Sequence, residues 1–321
     1  MNTPRKHHYL PQFYLGGFKL LPQKGKKPHI WQIEKGGQQA HYSPAIEDTG
    51  CIGDYHSLDY DDQEPDHKTI EALLSKIEAA HAVVVRSVNT TKRLEASQVG
   101  LIAEFISVMR YRIPAFAKHI ETNLRSVVLD TFKIMYQAGA FADPPQALRQ
   151  RFEDNGIDDN LKINISNWKV ISRMLEIGLA SESINLLAQL NFQIYCTKEA
   201  DSFVTSDNPV ALFHPHYEEI KPYGVGLATK GIELTLPLSS KTLIRAGSEL
   251  QTGSFIASGE EVAEFNRRTI IMGENYVFAS SISTELKMKI RELGDRFAGF
   301  TFDNLFYGDG SVHISRFIPV Q

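Results

Sequence analysis

From Asp66 to about Asn89, apolar residues at Ile70, Leu73, Leu74, Ile77, Ala80, Val84 and Val88 recur every three or four positions, the spacing of one helix face. This predicts a long helix opened by the acidic Asp66. A second helix is predicted over Ser97–Tyr111 from Val99, Ile102, Ala103, Ile106 and Met109, stopping near Pro114. A third runs over about 115–139 to the Gly139 break, and a fourth over about Asn167–Leu190. Before these helices, Pro11 and Gly16-Gly17 bracket a single helical turn over 11–16. The alternation of His29-Ile30-Trp31-Gln32-Ile33, the Gly36-Gly37 turn and a return over Gln38–Tyr42 predict a β-hairpin. Beyond the helices the period changes: strands are expected at Phe192–Thr197, Ser202–Thr205, Ile232–Pro237, Thr242–Ala246 and Asn275–Ala279. Helices at Glu260–Met272 and Thr284–Gly294 interrupt them.

Helices in the middle and strands towards both ends define an α+β fold, a helical section packed against a mostly antiparallel sheet of N- and C-terminal strands. One domain over 1–321 is expected, with a hairpin section 1–65, a helical section 66–190 and a strand-rich section 191–321. No internal repeat or low-complexity tract is visible.

Hydrophobic residues make up 42% of the chain and charged residues 22%, an ordinary globular balance, and no run nears the roughly 18 apolar residues a membrane helix needs. The N-terminus lacks the apolar stretch of a secretory signal. Only Cys51 and Cys196 are present, in no C-x-x-C pair, which excludes a disulfide framework and fits a reducing cytoplasm. A net charge of −4 argues against a surface wholly devoted to nucleic acid. The charge is unevenly placed, however. Met1–Ile33 has no acid and six bases, Arg5, Lys6, Lys19, Lys24, Lys26 and Lys27. Eight acids then follow from Glu47 to Asp66, among them Asp48, Asp54, Asp61 and Asp62. The two runs either pair with each other or leave a basic element for an anion.

Candidate chemistry begins at His7-His8. Adjacent residues of an extended segment face opposite ways, so one imidazole is free to act as acid, base or metal ligand while the other packs or bonds to backbone. His8, nearer the turn containing Phe13 and Tyr14, is the expected site member. Glu71 and Glu78 share one face of the first long helix about 10 Å apart, among apolar neighbours, where a carboxylate needs a positive partner or a metal. His67 and His81 lie four before Glu71 and three after Glu78, but a single Glu-x-x-His falls short of a di-iron helix bundle. Arg110 and Arg112 end the second helix, where the helix dipole favours cations and where a guanidinium can also clamp carboxylate or phosphate. Thr205-Ser206-Asp207-Asn208-Pro209 is a turn by its chemistry, with Asp207 left eligible as acid or ligand. The segment EDNGIDDN, Glu153–Asn160, has calcium-loop composition without calcium-loop spacing and reads as an acidic surface turn. Phosphate-loop and nucleophile-elbow motifs are absent.

In order along the chain, HHYLPQFYLGGF, IWQIEK, IEALLSKIE, EFISVMRYRIP, SFVTSDNPV, ELTLPLSSKTLI and FNRRTIIMGENYVFAS resemble the bacterial domain-of-unknown-function family 4238, over about Lys6 to Ser281. The resemblance maps onto His7, His8, Pro11, Phe13, Tyr14, Leu15 and Phe18, then Glu71, Glu78, Arg112, Pro114, Asp207, Asn208, Pro209, Asn266 and Phe278. It implies no reaction, since the family carries none. It does direct attention to polar residues beyond the needs of a core.

The resulting expectation is that His8, Glu78, Arg112 and Asp207 converge as a catalytic group, with His7, Tyr14, Glu71, Arg110 and Asn208 in binding roles. A near-neutral base, carboxylates and a guanidinium are the kit for cleaving or transferring a phosphate ester. That points to a hydrolase of nucleic acid or nucleotide, of the toxin-like or phage-defence kind, with room for a divalent metal and no membrane partner. The rival is a binding or sensor module in which the same residues form a buried network: an open pocket favours the enzyme, full pairing the rival.

Overall fold

The computed structural model describes residues 5–21, 25–36, 40–60, 63–141, 145–198, 200–221, 224–307 and 310–321. Lys24, Gly37, Gln38, Asp61 and Asp62, which figure in the hairpin and charge readings, lie outside them.

The opening segment forms a short strand β1 (Lys6–His8), a helical turn α1 (Gln12–Leu15) and a 3-10 turn over Gly16–Phe18. β2 (Trp31–Glu34), β3 (His41–Tyr42) and β4 (Cys51–Gly53) follow. The helical section contains α2 (Thr69–Thr91), α3 (Val99–Tyr111), α4 (Pro114–Gln137), α5 (Gln146–Asn160), α6 (Asn167–Gly178) and α7 (Ser181–Ala188). The last section holds β5 (Asn191–Cys196), β6 (Thr205–Ser206), β7 (Ala211–Phe213), α8 (Tyr217–Ile220), β8 (Glu233–Ser239), β9 (Thr242–Gly247) and β10 (Gly253–Ile256). It ends with α9 (Gly259–Met272), β11 (Tyr276–Ala279), α10 (Thr284–Leu293) and a hairpin of β12 (Gly299–Tyr307) and β13 (Gly310–Ile318).

The fold is α+β, as its pattern implies. Five strands assemble in the order β10-β5-β9-β8-β7 and four in the order β3-β2-β11-β6, so an N-terminal strand pairs with a C-terminal one. All these pairings are antiparallel except β10 with β5. Among the described residues no helix is long and apolar enough to cross a membrane.

The helix ends follow side-chain chemistry. Asp66 accepts from the Lys68 and Thr69 amides and the Thr69 hydroxyl, giving α2 its acidic cap. Ser258 and Glu261 form a reciprocal capping box on α9. Lys35 closes the other end of α9: its buried ammonium donates to the carbonyls of Ile271, Gly273 and Arg296 at 2.8, 2.6 and 3.0 Å. Pro114 sits in the first turn of α4, following extended Ile113, and so separates α4 from α3.

Two expectations are corrected. Glu153–Asn160 lies in α5, not in a surface turn, and its glycine is accommodated as a kink with Gly156 at φ 77°. The helix expected over 167–190 is two helices, because Ala180 takes an extended conformation between α6 and α7. The β12–β13 hairpin was not expected at all.

One core joins the three sections, with Leu10, Tyr14, Leu15 and Phe18 packed among Phe105 and Ile106 of α3, Leu236 and Leu238 of β8 and Phe278 of β11. The approach is closest at Gly17, where a Cβ would lie 2.6 Å from the Leu238 carbonyl oxygen. Gly17→Ala is therefore expected to force backbone apart and cost about 1–3 kcal/mol, read from denaturant unfolding. The fully buried His81 ring contacts Glu104 Oε1 at 3.0 Å, and burial pushes its pKa down, as it does for His119. Their folded pKa values lie below the unfolded value of about 6.5, so below that pH the unfolded chain takes up protons the folded one resists. The melting temperature should fall as pH drops through about 6.5, and His81→Gln should flatten that fall.

Candidate functional site

β1 runs antiparallel to β4, with His7 opposite Ile52 and His8 opposite Cys51. Strand alternation turns the His7 ring inward, where it is wholly buried. After β4 the chain reverses at Asp54, whose φ of 55° is in the left-handed region that Asp tolerates better than most residues. The reversal brings the His56 amide to donate to His7 Nδ1 at 2.8 Å. It also stacks the two rings, 5.7 Å apart and within 10° of parallel. The first turn of α2 supplies the third member: His56 Nδ1 bonds Glu71 Oε1 at 2.5 Å. One donor atom on each of His7, His56 and Glu71 lies within 4.8 Å of the others. His67 is next to this group, its ring 6.4 Å from that of His7 and its Nδ1 against Ser57 Oγ at 2.6 Å and Asp54 Oδ1 at 3.3 Å.

Burial pushes the His56 imidazole down from its ordinary pKa, against the Glu71 hydrogen bond. Burial pulls the Glu71 carboxyl up, but the His56 bond and the charges of His56, His7 and Arg112 outweigh it and hold Glu71 below its usual range. A deprotonated Glu71 thus accepts from His56 Nδ1–H, which leaves the ring's lone pair on Nε2. His7 accepts at Nδ1, so its proton sits on Nε2, an atom that is buried without a partner. Glu71 is 38% exposed and connects this otherwise enclosed group to solvent.

Arg112 stands beside it at the end of α3. Its guanidinium donates to Glu78 Oε1 at 2.7 Å and to the His8 carbonyl at 2.6 Å, while the Tyr55 hydroxyl donates to the Arg112 carbonyl at 3.2 Å. The His8 ring bonds the backbone of Glu47, and burial lowers its pKa. The two histidines thus divide their roles, but opposite to the expected assignment: His7 enters the His/Glu group and His8 ties to backbone, because the β4 pairing buries the His7 side of β1.

The remaining candidates have partners of their own. Asp207 accepts from the amides of Glu274 and Asn275 at 2.8 Å and Tyr276 at 3.3 Å. Gly273 permits this turn, since a Cβ there would lie 2.8 Å from Ser206 Cβ. Among the described residues no hydrogen bond or ion pair joins Asp207 to His8, Glu78 or Arg112. Three backbone donors occupy its carboxylate, so Asp207 makes no direct bond to the other three members of the expected group. Asn208 and Arg110 line a cavity of about 20 Å³ with Glu274, room for about one water. The Arg110 guanidinium lies 4.4 Å from the Phe317 ring centroid and 5.3 Å from that of Phe300. Tyr14 is core, its hydroxyl 2.6 Å from Thr205 Oγ1.

The residue that sequence reasoning missed is His56. Its one local signal is the Asp54-Tyr55-His56-Ser57 string, a turn former followed by two side chains with polar tips on apolar bodies, within an otherwise acidic segment. The Glu78–Arg112 pair makes its own prediction. Glu78→Ala leaves the buried guanidinium with one partner fewer and is expected to cost about 2 kcal/mol in thermal or denaturant unfolding, below the full buried-pair figure because Glu78 is 26% exposed. Glu78→Gln, which keeps an acceptor, should lose less.

No curated protein and no solved structure matches the chain. A family model described as "Protein of unknown function (DUF4238)" matches residues 6–283, a span that contains β1, the histidine–glutamate group, Arg112 and the Asp207 turn. The chain belongs to that family.

Proposed function

We propose that the chain is a hydrolase of phosphate esters that activates water at the His7–His56–Glu71 group. The observation that carries this reading is the 2.5 Å contact between His56 Nδ1 and Glu71 Oε1. A carboxylate holding one imidazole nitrogen fixes the tautomer and leaves the other as an acceptor for a proton from water. Burial keeps the acceptor neutral near pH 7, the state a general base must start from. The Glu71 carboxylate, 38% exposed, is the edge of the group that solvent reaches. The anion clamp assigned to Arg112 drops out of the reading, because that guanidinium already serves Glu78 and the His8 carbonyl.

Charge pairing narrows the substrate. Lys6 pairs with Asp48 and Lys27 with Glu47, so the basic N-terminal run spends two of its charges on the acidic run that follows. That favours a nucleotide-sized phosphoester over a long polyanion, whose binding rests on many unpaired cations. A second reading, a non-catalytic module in which this group is scaffold, draws on the near-complete burial of His7, His56 and Arg112.

Purified protein assayed against a phosphate monoester, a phosphodiester and nucleoside phosphates separates the two readings. Hydrolysis that falls at least ~100-fold in Glu71→Gln at unchanged melting temperature is the expected result, in the range a positioned general base contributes. No turnover of any of the three, or turnover that Glu71→Gln leaves intact, returns the group to the scaffold.

A further inference from the structure

We infer that His7, His56 and Glu71 form a binding site for one divalent transition-metal ion of the zinc class. The proposal shares its location with the hydrolytic centre above and does not rest on hydrolysis; with the ion bound, neither His56 nitrogen keeps a free lone pair, so the ion rather than His56 would acidify the water.

Three independent segments deliver the donors: β1 gives His7, the turn after β4 gives His56 and the first turn of α2 gives Glu71. Their donor atoms lie within 4.8 Å of one another, close enough for small side-chain shifts to bring each to the roughly 2.0–2.2 Å bond length of zinc to nitrogen or oxygen. Two imidazoles and one carboxylate suit zinc, cobalt or nickel, and they disfavour magnesium and calcium, which take oxygen ligands. Three protein ligands also leave a coordination position for water, as a catalytic site needs.

The polar bookkeeping of the group points the same way. His7 Nε2 is buried and has no partner, and in a folded protein such an atom calls for an explanation. The adjacent His8 Nε2 and Arg112 Nε are likewise buried and unpartnered, so the surroundings of the group are polar but incompletely satisfied. At the centre, one proton lies between His56 Nδ1 and Glu71 Oε1. Coordination through His56 Nδ1 replaces that proton with the cation; coordination through Nε2 keeps it, with Glu71 then holding the ligand ring in place. His7 must give up its bond from the His56 amide in either case. Through Nδ1 the metal takes the accepting lone pair, and through Nε2 the ring proton must move to Nδ1, facing the amide donor. Binding therefore remakes hydrogen bonds already present around a group that the fold has largely assembled.

Several charged and titratable groups face the site. From α2 comes Glu78, from the segment just before it His67, from the turn after β4 Asp54, and from the end of α3 Arg112. Glu78 neutralises Arg112, which keeps the nearest fixed positive charge from opposing a dication.

The test uses the full chain stripped with chelator. Isothermal titration with Zn²⁺, and with Co²⁺ followed by its visible absorption, is expected to give one equivalent per chain, a cobalt spectrum of nitrogen and oxygen ligation, and a raised melting temperature. Mg²⁺ and Ca²⁺ should give none of these. Glu71→Gln keeps an acceptor for His56 but is a poor ligand, so affinity should fall at least ~10-fold with the metal-free melting temperature unchanged. His56→Ala should abolish the cobalt spectrum. Glu104→Gln, which alters the His81 pair outside the site, should bind as the parent does. Absence of stoichiometric Zn²⁺ binding by the parent, or binding that Glu71→Gln and His56→Ala both leave intact, overturns the proposal. Metal binding without phosphoester turnover removes the hydrolase reading and leaves the site standing. Turnover unaffected by chelation, with no metal bound, does the reverse.

Discussion

The Arg112 guanidinium is the interaction on which the arrangement of the N-terminal half depends. A cation taken out of water needs a fixed set of acceptors, and here they come from α2 through Glu78 and from β1 through the His8 carbonyl. The Arg112 carbonyl, in turn, accepts from Tyr55, the residue before His56. One residue at the end of α3 thus holds the opening strand, the first long helix and the turn between them, the first two by its side chain and the turn by its carbonyl. Pro114 fixes where α3 yields to α4, and so the depth at which this guanidinium sits.

With those three segments anchored, the His7–His56–Glu71 group follows from local geometry. β1 is only three residues long, so its register against β4 cannot rest on many ladder bonds. What holds it is the combination of the His8 carbonyl on Arg112, the His56 amide on His7, and Leu10, Tyr14 and Leu15 immediately afterwards in the core. The polar group and the aromatic turn are parts of one structure: apolar packing sets the position of the backbone, and hydrogen bonds choose the direction of each ring. A slip of one residue would send His7 to the half-buried face and put His8 in its place.

Much of this was legible in the sequence, for identifiable reasons. The apolar stripe of α2, the alternation of β2 and the short apolar runs of β8, β9 and β11 are local patterns, and local patterns report their own elements. The Asp66 cap and the Pro114 boundary are likewise encoded within a few residues. What escaped was non-local. β4 has no strand pattern of its own and exists because β1 lies beside it, and His56 matters only because that pairing and the Asp54 turn carry it to His7. Alternation said correctly that His7 and His8 would part ways, but it could not say which face the rest of the protein would bury. Asp207 is a turn residue, as its chemistry implies, but the sequence does not show what fills its carboxylate. The three amides that occupy it come from residues 274–276, far along the chain.

The polar residues singled out from the sequence therefore divide by what satisfies them. Asp207 meets three backbone donors, Arg112 meets a carboxylate and a carbonyl, and Asn266 both accepts from the Val204 amide and donates to the Ser202 carbonyl. Most of the capacity of each is taken by a partner that chain folding supplies, with only Arg112 Nε left over, and each positions a turn or a strand. His7 and His56 differ, because their partners are largely each other and Glu71, and atoms remain over: an unpartnered His7 Nε2 and a lone pair on His56. Scaffold chemistry accounts for every group whose hydrogen-bonding capacity is used up. Unpartnered buried atoms also occur at Ser107, Arg110, Thr197 and Thr235, but beside His7 they stand next to two imidazoles and a part-exposed carboxylate, and that combination is the ground for proposing chemistry there.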